Sequence, residues 1–263
     1  MIISTILFND EYDMLEIYLE ITSQYCDRWI IAEADKTFSG MAKPFNLANN
    51  RERFAKWWDR IDLMKLSVPE GYKDWQVDNW SRVSIQEQIN KYPDDTIFLH
   101  GDVDEVTDPR VVPKIIEAMN QHNKPVALSM WMFIYKFDQR AARGWKGTVW
   151  ARKHMFENPQ QLIKGGMGKR KNRSHCVSLH EAGWHWTWMG DDERIRSKIR
   201  SCIESQNRDV EATLEAFKRQ DIGVAINLKC VTEYCADPGY PTEVMQVIAR
   251  YPFWTNQPGN FVK

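Results

Sequence analysis

Four carboxylates fall within seven residues of this chain, at Asp102, Asp104, Glu105 and Asp108. They follow Thr96-Ile97-Phe98-Leu99, an apolar run without polar alternation that reads as a buried strand. A buried strand ending in acids places them at the carboxyl edge of a sheet, where open α/β folds bind ligands. Asp102 and Asp104 are two apart, so in extended chain both side chains leave the same side of the backbone. Carboxylates that close raise each other's pKa unless a cation lies between them. Hard oxygen donors at this spacing suit Mg²⁺ or Mn²⁺, which in turn hold phosphates. The plainer reading is a solvated acidic turn, with Asp108 as the N-cap of a helix opened by Pro109.

Other residues could join this chemistry. Glu33 closes a second apolar strand, Arg28–Ala32, at the position where doubly wound folds touch a nucleotide's sugar or base. It could equally cap a helix. Asn9-Asp10-Glu11 lies at the same edge after the first strand. His185 is fenced by Trp184, Trp186 and Trp188. Such a histidine is either packed core or a further ligand to the metal, neutral imidazole being suited to Mn²⁺. Asp191 and Asp192 precede a helix, so each is an N-cap or a carboxylate placed to take a proton from a hydroxyl. Lys164–Arg173 holds three glycines and five cations, Lys169 and Arg170 among them. It reads as a basic lid over phosphates or as a plain surface loop.

The elements that must hold these residues alternate. Strands at 2–8, 28–32, 61–68 and 96–99 are separated by helices starting at Asn9 or Asp10, around Phe54-Trp57-Trp58, and over 79–90. This β-α order implies a mostly parallel, right-handed wound sheet. A helix with Val111, Val112, Ile115, Ile116 and Met119 follows, then strands at 125–135, 148–151 and 182–188. Helices at 192–205 and 209–220 complete the body. With no internal repeat or linker, one domain over 1–263 is expected, with a first half over 1–122 and a second over 123–263.

Composition excludes several classes. Hydrophobic residues make up 43% and charged residues 27%, an ordinary globular balance. A formal net charge of -1 gives no global field for nucleic acid or an anionic membrane. Twelve tryptophans exceed the needs of a core this size, and their flat faces suit sugar rings. The five cysteines, an odd number, suit a reducing compartment, although Cys230 and Cys235 could pair if exported. The short apolar start lacks the form of a signal peptide and no later run could span a bilayer. A soluble, cytoplasmic protein is expected; its oligomeric state is not legible.

Glu33 with Thr37-Phe38-Ser39-Gly40 and Lys43-Pro44, Asp102-x-Asp104-Glu105-Val106 with Pro109, and Gly183-Trp184-His185 occur in that order. Together they resemble glycosyltransferase family 17, the family of β-1,4-mannosyl-glycoprotein β-1,4-N-acetylglucosaminyltransferase. The resemblance implies a GT-A type α/β fold and inverting transfer from UDP-N-acetylglucosamine to a glycan hydroxyl with Mn²⁺ or Mg²⁺, with 1–122 holding the nucleotide-sugar and 123–263 the acceptor. It would put Asp102 and Asp104 on the metal and donor diphosphate, His185 near them, and Glu33 by the uridine. Thr37, Ser39 and Lys43 would lie near the donor, as would Asn9, Lys169 and Arg170 by position. Trp184, Trp186 and Trp188 would hold acceptor sugar faces, and Asp191, then Asp192, would be the base. Competing readings are a metal-dependent nucleotidyltransferase and a non-catalytic carbohydrate-binding protein on the same fold.

Overall fold

The computed structural model describes residues 1–155, 175–203, 205, 207–219, 221 and 232–256, and side chains throughout these except 142, 143 and 253. Lys164–Arg173, and with it Lys169 and Arg170, lies outside the described residues, as does Cys230. The chain is α/β. Its strands form one ten-stranded sheet in which β3 (Ile61–Leu66), β2 (Arg28–Ala34), β1 (Ile2–Phe8) and β4 (Ile97–His100) are neighbours, all parallel. Near-complete burial explains the apolar runs of β1, β2 and β4: a parallel strand covered on both faces has no polar side to show.

Beyond β4 the pairing changes. β7 (Gln139–Arg152) runs antiparallel to β4, and β6 (Val126–Ile134) antiparallel to β7. β9 (Gly183–Thr187) lies parallel to β6, and the short β5 (Glu105–Thr107) closes the far edge antiparallel to β9. β8 (Val177–Leu179) and β10 (Thr232–Tyr234) pair with β6 and β7 off this path.

Helices cover both faces. On one, α1 (Tyr12–Thr22) and α5 (Val112–His122) pack with α8 (Thr242–Ile248) over Ile6, Ile31 and Leu99. On the other, Ile85 and Ile89 of the α3 (Trp75–Ser84) and α4 (Gln86–Ile89) region meet Ile3, Ile30 and Phe98. Sequence neighbours such as Ile30 and Ile31 therefore enter opposite cores, as the two-residue period of a strand requires. A third cluster joins α6 (Asp192–Ser201) and α7 (Val210–Lys218) to Met132, Ile134 and Trp188.

Three elements differ from the sequence reading. The helix expected around Phe54, Trp57 and Trp58 is a short α2 (Asn46–Asn49) followed by two 3₁₀ turns. The i, i+3 spacing of the buried Phe54 and Trp57 fits a 3₁₀ turn as well as an α-helix. The strand read at 148–151 is the end of the 14-residue β7, whose first half is polar and gave no apolar signal. The acidic turn is a crossover rather than a cap alone. It leaves β4 and crosses the sheet edge to β5 at the opposite end. Gly101 starts it because a Cβ there would stand 2.4 Å from Thr148 Oγ1 and 2.8 Å from Glu105 Oε2.

Candidate active site

A cavity of about 630 Å³ opens at the carboxyl ends of β1, β2 and β4. This is the edge where open α/β sheets bind ligands, and the volume is ordinary for a small-molecule pocket. Asp102 and Asp104 both line it, so the crossover delivers its acids where the strand pattern placed them. Each already faces protein cations. Arg82 of α3 donates from Nη2 to Asp102 Oδ1 at 2.6 Å and from Nε to Asp78 Oδ1 at 3.0 Å. Lys198 of α6 approaches Asp104 Oδ2 at 3.5 Å, and His185 Nε2 lies 3.5 Å from Asp104 Oδ1. Burial pushes the Asp104 carboxyl up, but His185 and Lys198 together outweigh it and hold it below the usual carboxylate range.

Tertiary contacts fix these groups. Trp186 N–H donates to Asp104 O at 2.8 Å, tying the crossover to β9. Gly183, at φ +150°, lets β9 start against β5, since a Cβ would meet Val106 O at 2.2 Å. The buried Glu105 accepts from Trp145 Nε1 at 2.6 Å, and the Trp145 ring stacks on His185 with centroids 4.3 Å apart. His185 is therefore both packed and in the cavity wall. Asn9 Oδ1, Ser81 Oγ and His185 Nδ1 are buried atoms of lining residues with no hydrogen-bond partner among the described residues.

The donor set offers a divalent ion part of a coordination shell. Among the described residues no three His, Cys, Asp or Glu side chains could hold a metal by themselves. Asp104 Oδ1 and His185 Nε2, at 3.5 Å, do suit two neighbouring positions of a six-coordinate ion, whose ligand atoms stand about 3 Å apart. Mg²⁺ is ordinarily held through one or two carboxylates with substrate phosphates and water, so a two-point protein site fits. Asp102, expected as a second carboxylate ligand, is drawn instead to Arg82.

The other expected residues divide. Asn9, Thr37, Lys43 and Trp188 line the cavity. Ser39 does not; its hydroxyl pairs with Thr37 Oγ1 at 2.8 Å and its N–H reaches Ser201 O at 3.3 Å. Glu33 is fully buried and outside the lining. It receives the N–H groups of Asn46 and Leu47 at the start of α2 and the Lys43 ammonium at 3.1 Å, so its capping reading holds. Burial raises its pKa, opposed by Lys43 and those amides. Trp184 is core, stacked on Trp186 with centroids 5.7 Å apart, and lines no cavity described here. Asp191 caps α6, accepting from Arg194 N at 2.8 Å, and lines a second, smaller cavity with Trp186. Asp192 lies outside both cavities and pairs with Lys218 at 2.8 Å.

Sequence reasoning placed a helix over 79–90 but missed its first turn and its place in the site, where α3 brings Trp75, Asp78, Asn79, Ser81 and Arg82 to the wall, and it missed Gly144–Lys146 of β7. Only the i, i+4 Asp78–Arg82 pair left a trace, and it reads as an ordinary helix-surface pair. The wall also mixes the expected halves: Trp145, His185 and Lys198 belong to the part assigned to the acceptor.

Acids and bases are thus gathered at the carboxyl edge of one mixed α/β sheet flanked by helices. The model of glycosyltransferase family 17 matches residues 1–196, and the chain belongs to that family. Similar solved structures include a 4-diphosphocytidyl-2C-methyl-D-erythritol synthase, at 10% identity over 69% of this chain and 88% of that chain, with a TM-score of 0.43. Another is the same synthase from Anaerococcus prevotii DSM 20548, at 13% identity over 68% and 86%, with a TM-score of 0.39. No curated protein matches the chain. Among the described residues no helix is long and apolar enough to cross a membrane.

Proposed function

We propose that this glycosyltransferase moves N-acetylglucosamine from UDP-N-acetylglucosamine to a glycan hydroxyl, with inversion, as one cytoplasmic domain. The observation that carries the donor assignment is the large cavity's wall, where five bases meet four carboxylates at the strand ends. Lys36, Lys43, Arg82, Lys146 and Lys198 supply that charge, and a diphosphate is the anion it suits. Asp104 and His185 would hold Mn²⁺ or Mg²⁺, which supplies Lewis-acid neutralisation of the leaving diphosphate. Arg82 orients Asp102 and keeps its charge compensated. Lys198 adds a fixed positive charge beside Asp104. Asp191 takes the proton of the attacking hydroxyl, and a single displacement needs no enzyme nucleophile. Thr37 and Lys43 position the donor, and Trp188 closes one side against water.

A thermal-shift and turnover screen of nucleotide sugars, with and without Mn²⁺, tests this. A ligand at a hundred times its Kd adds about 2.7 kcal/mol, on the order of 5–10 °C in Tm for a chain this size. The expected result is a Mn²⁺-dependent shift with UDP-sugars and release of UDP. Pyrophosphate release would favour a nucleotidyltransferase instead. Binding of free sugar without turnover would favour a carbohydrate-binding protein.

A further inference from the structure

The second cavity, about 190 Å³, lies across a partition from the first. Glu11, Asp104 and Lys198 line both, so these three side chains form the wall between them. We infer that this smaller cavity is the acceptor subsite and that it takes one uncharged sugar ring rather than a phosphorylated or otherwise anionic one. This rests on the donor reading of the large cavity.

Size is the first argument. The volume is below the 300 Å³ at which drug-sized pockets begin, so it admits one ring and not an extended glycan. Lining chemistry is the second. The half-buried Tyr12 gives it an aromatic face, backed by the nearly buried Trp186 and Trp254, and Asp13 and Asp191 stand among its polar groups. A sugar ring has the same two aspects, a C–H face for aromatic carbon and hydroxyls that donate to carboxylates. Charge is the third. Five carboxylates line the cavity against Arg53, Arg194 and Lys198, two negative charges in excess among the described residues. The large cavity has one positive charge in excess. A phosphate entering the smaller cavity would meet like charge, which selects against it.

Placement agrees. A ring here adjoins a donor in the large cavity where Asp104, Lys198 and Glu11 border both, and Asp191 lies on the ring's side. Trp186 and its stacked neighbour Trp184 are both nearly fully buried, and of the two only Trp186 borders the cavity.

The test uses the full chain with UDP-N-acetylglucosamine, Mn²⁺ and a panel of acceptors. The panel holds the methyl glycosides of glucose, galactose, mannose and N-acetylglucosamine, and the 6-phosphate of each. At least one neutral glycoside is expected to accelerate UDP release, with kcat/KM at least tenfold above its 6-phosphate. The double variant Asp10→Asn with Asp13→Asn, at two residues that line only the smaller cavity, cancels the excess charge and leaves Asp191 in place. It is expected to bring the two acceptors within about threefold. Met189→Trp, which lines only the smaller cavity, is expected to raise acceptor KM at least tenfold while UDP affinity by calorimetry changes less than twofold. The inference is overturned if the phosphates are equal or better substrates, or if no neutral glycoside accelerates UDP release. It also falls if the charge variant binds UDP normally and keeps the discrimination. A wild-type chain that binds no UDP in Mn²⁺ removes the donor reading itself, whereas normal UDP binding with any of the other failures removes only the acceptor assignment.

Discussion

The two cavities share three wall residues and carry opposite charge. The large one collects its bases from β-strand ends, α3, β7 and α6, and it is the one an anionic donor suits. The small one is bounded by the acids that follow β1 and by the N-terminus of α6. Where substrates must meet at one bond, the wall between their sites has to serve both. Asp104 and Lys198 do so, and an isolated acidic turn would not.

The comparison breaks most sharply at that wall. Asp104→Ala is expected to lower turnover on the order of 10²–10³-fold, because it removes the carboxylate on both sides of the reaction. Steady-state UDP release measures it, and a change under threefold would detach Asp104 from catalysis. Arg82→Ala acts only on the large cavity. It leaves Asp78 and Asp102 without their shared guanidinium, whose side chain is 5% exposed. Urea unfolding is expected to show a loss of about 3 kcal/mol.

Smaller effects sharpen the contrast. Trp145→Ala strips the stack from His185 and is expected to weaken UDP binding in Mn²⁺ by about tenfold; calorimetry with unchanged affinity would dissociate His185 from the donor side. Asp104 gives a pH signature. Because its folded pKa is depressed, its ionised form stabilises the fold above the unfolded value and that stability is lost as pH falls through the folded one. Wild-type unfolding free energy should therefore drop more steeply below about pH 4 than that of Asp104→Asn. Asp192→Asn lies outside both cavities. It is expected to cost under about 0.5 kcal/mol and to change turnover less than twofold.

Much of the donor side was legible because it obeys local rules. The apolar runs at 2–8, 28–32 and 96–99 had to be covered on both faces, and strands of that kind end at the edge where open α/β sheets bind ligands. Asp108 and Asp191 are N-caps, as their position before Pro109 and before α6 suggested. Glu33 shows the limit of the same reasoning. Its place at a strand end is shared by nucleotide ligands and helix caps, and only the nearby Asn46 and Leu47 amides decide between them. Trp184 and Trp186 show another. They sit on the same side of β9 and stack, yet only one reaches a cavity.

The sequence by itself determined the alternation of strands and helices, the parallel run at one end of the sheet, and the arrival of acids at its carboxyl edge. Those follow from apolar periodicity and capping, which act over a few residues. Tertiary structure alone decided which cation each acid meets. Arg82 is 20 residues from Asp102, and Lys198 is 94 from Asp104. Such pairs form because helices dock on a twisted sheet, and the docking geometry has no local code. For the same reason the sequence marked Trp186 and Asp191 singly but not the smaller cavity they share with α1 and the segment around Trp254.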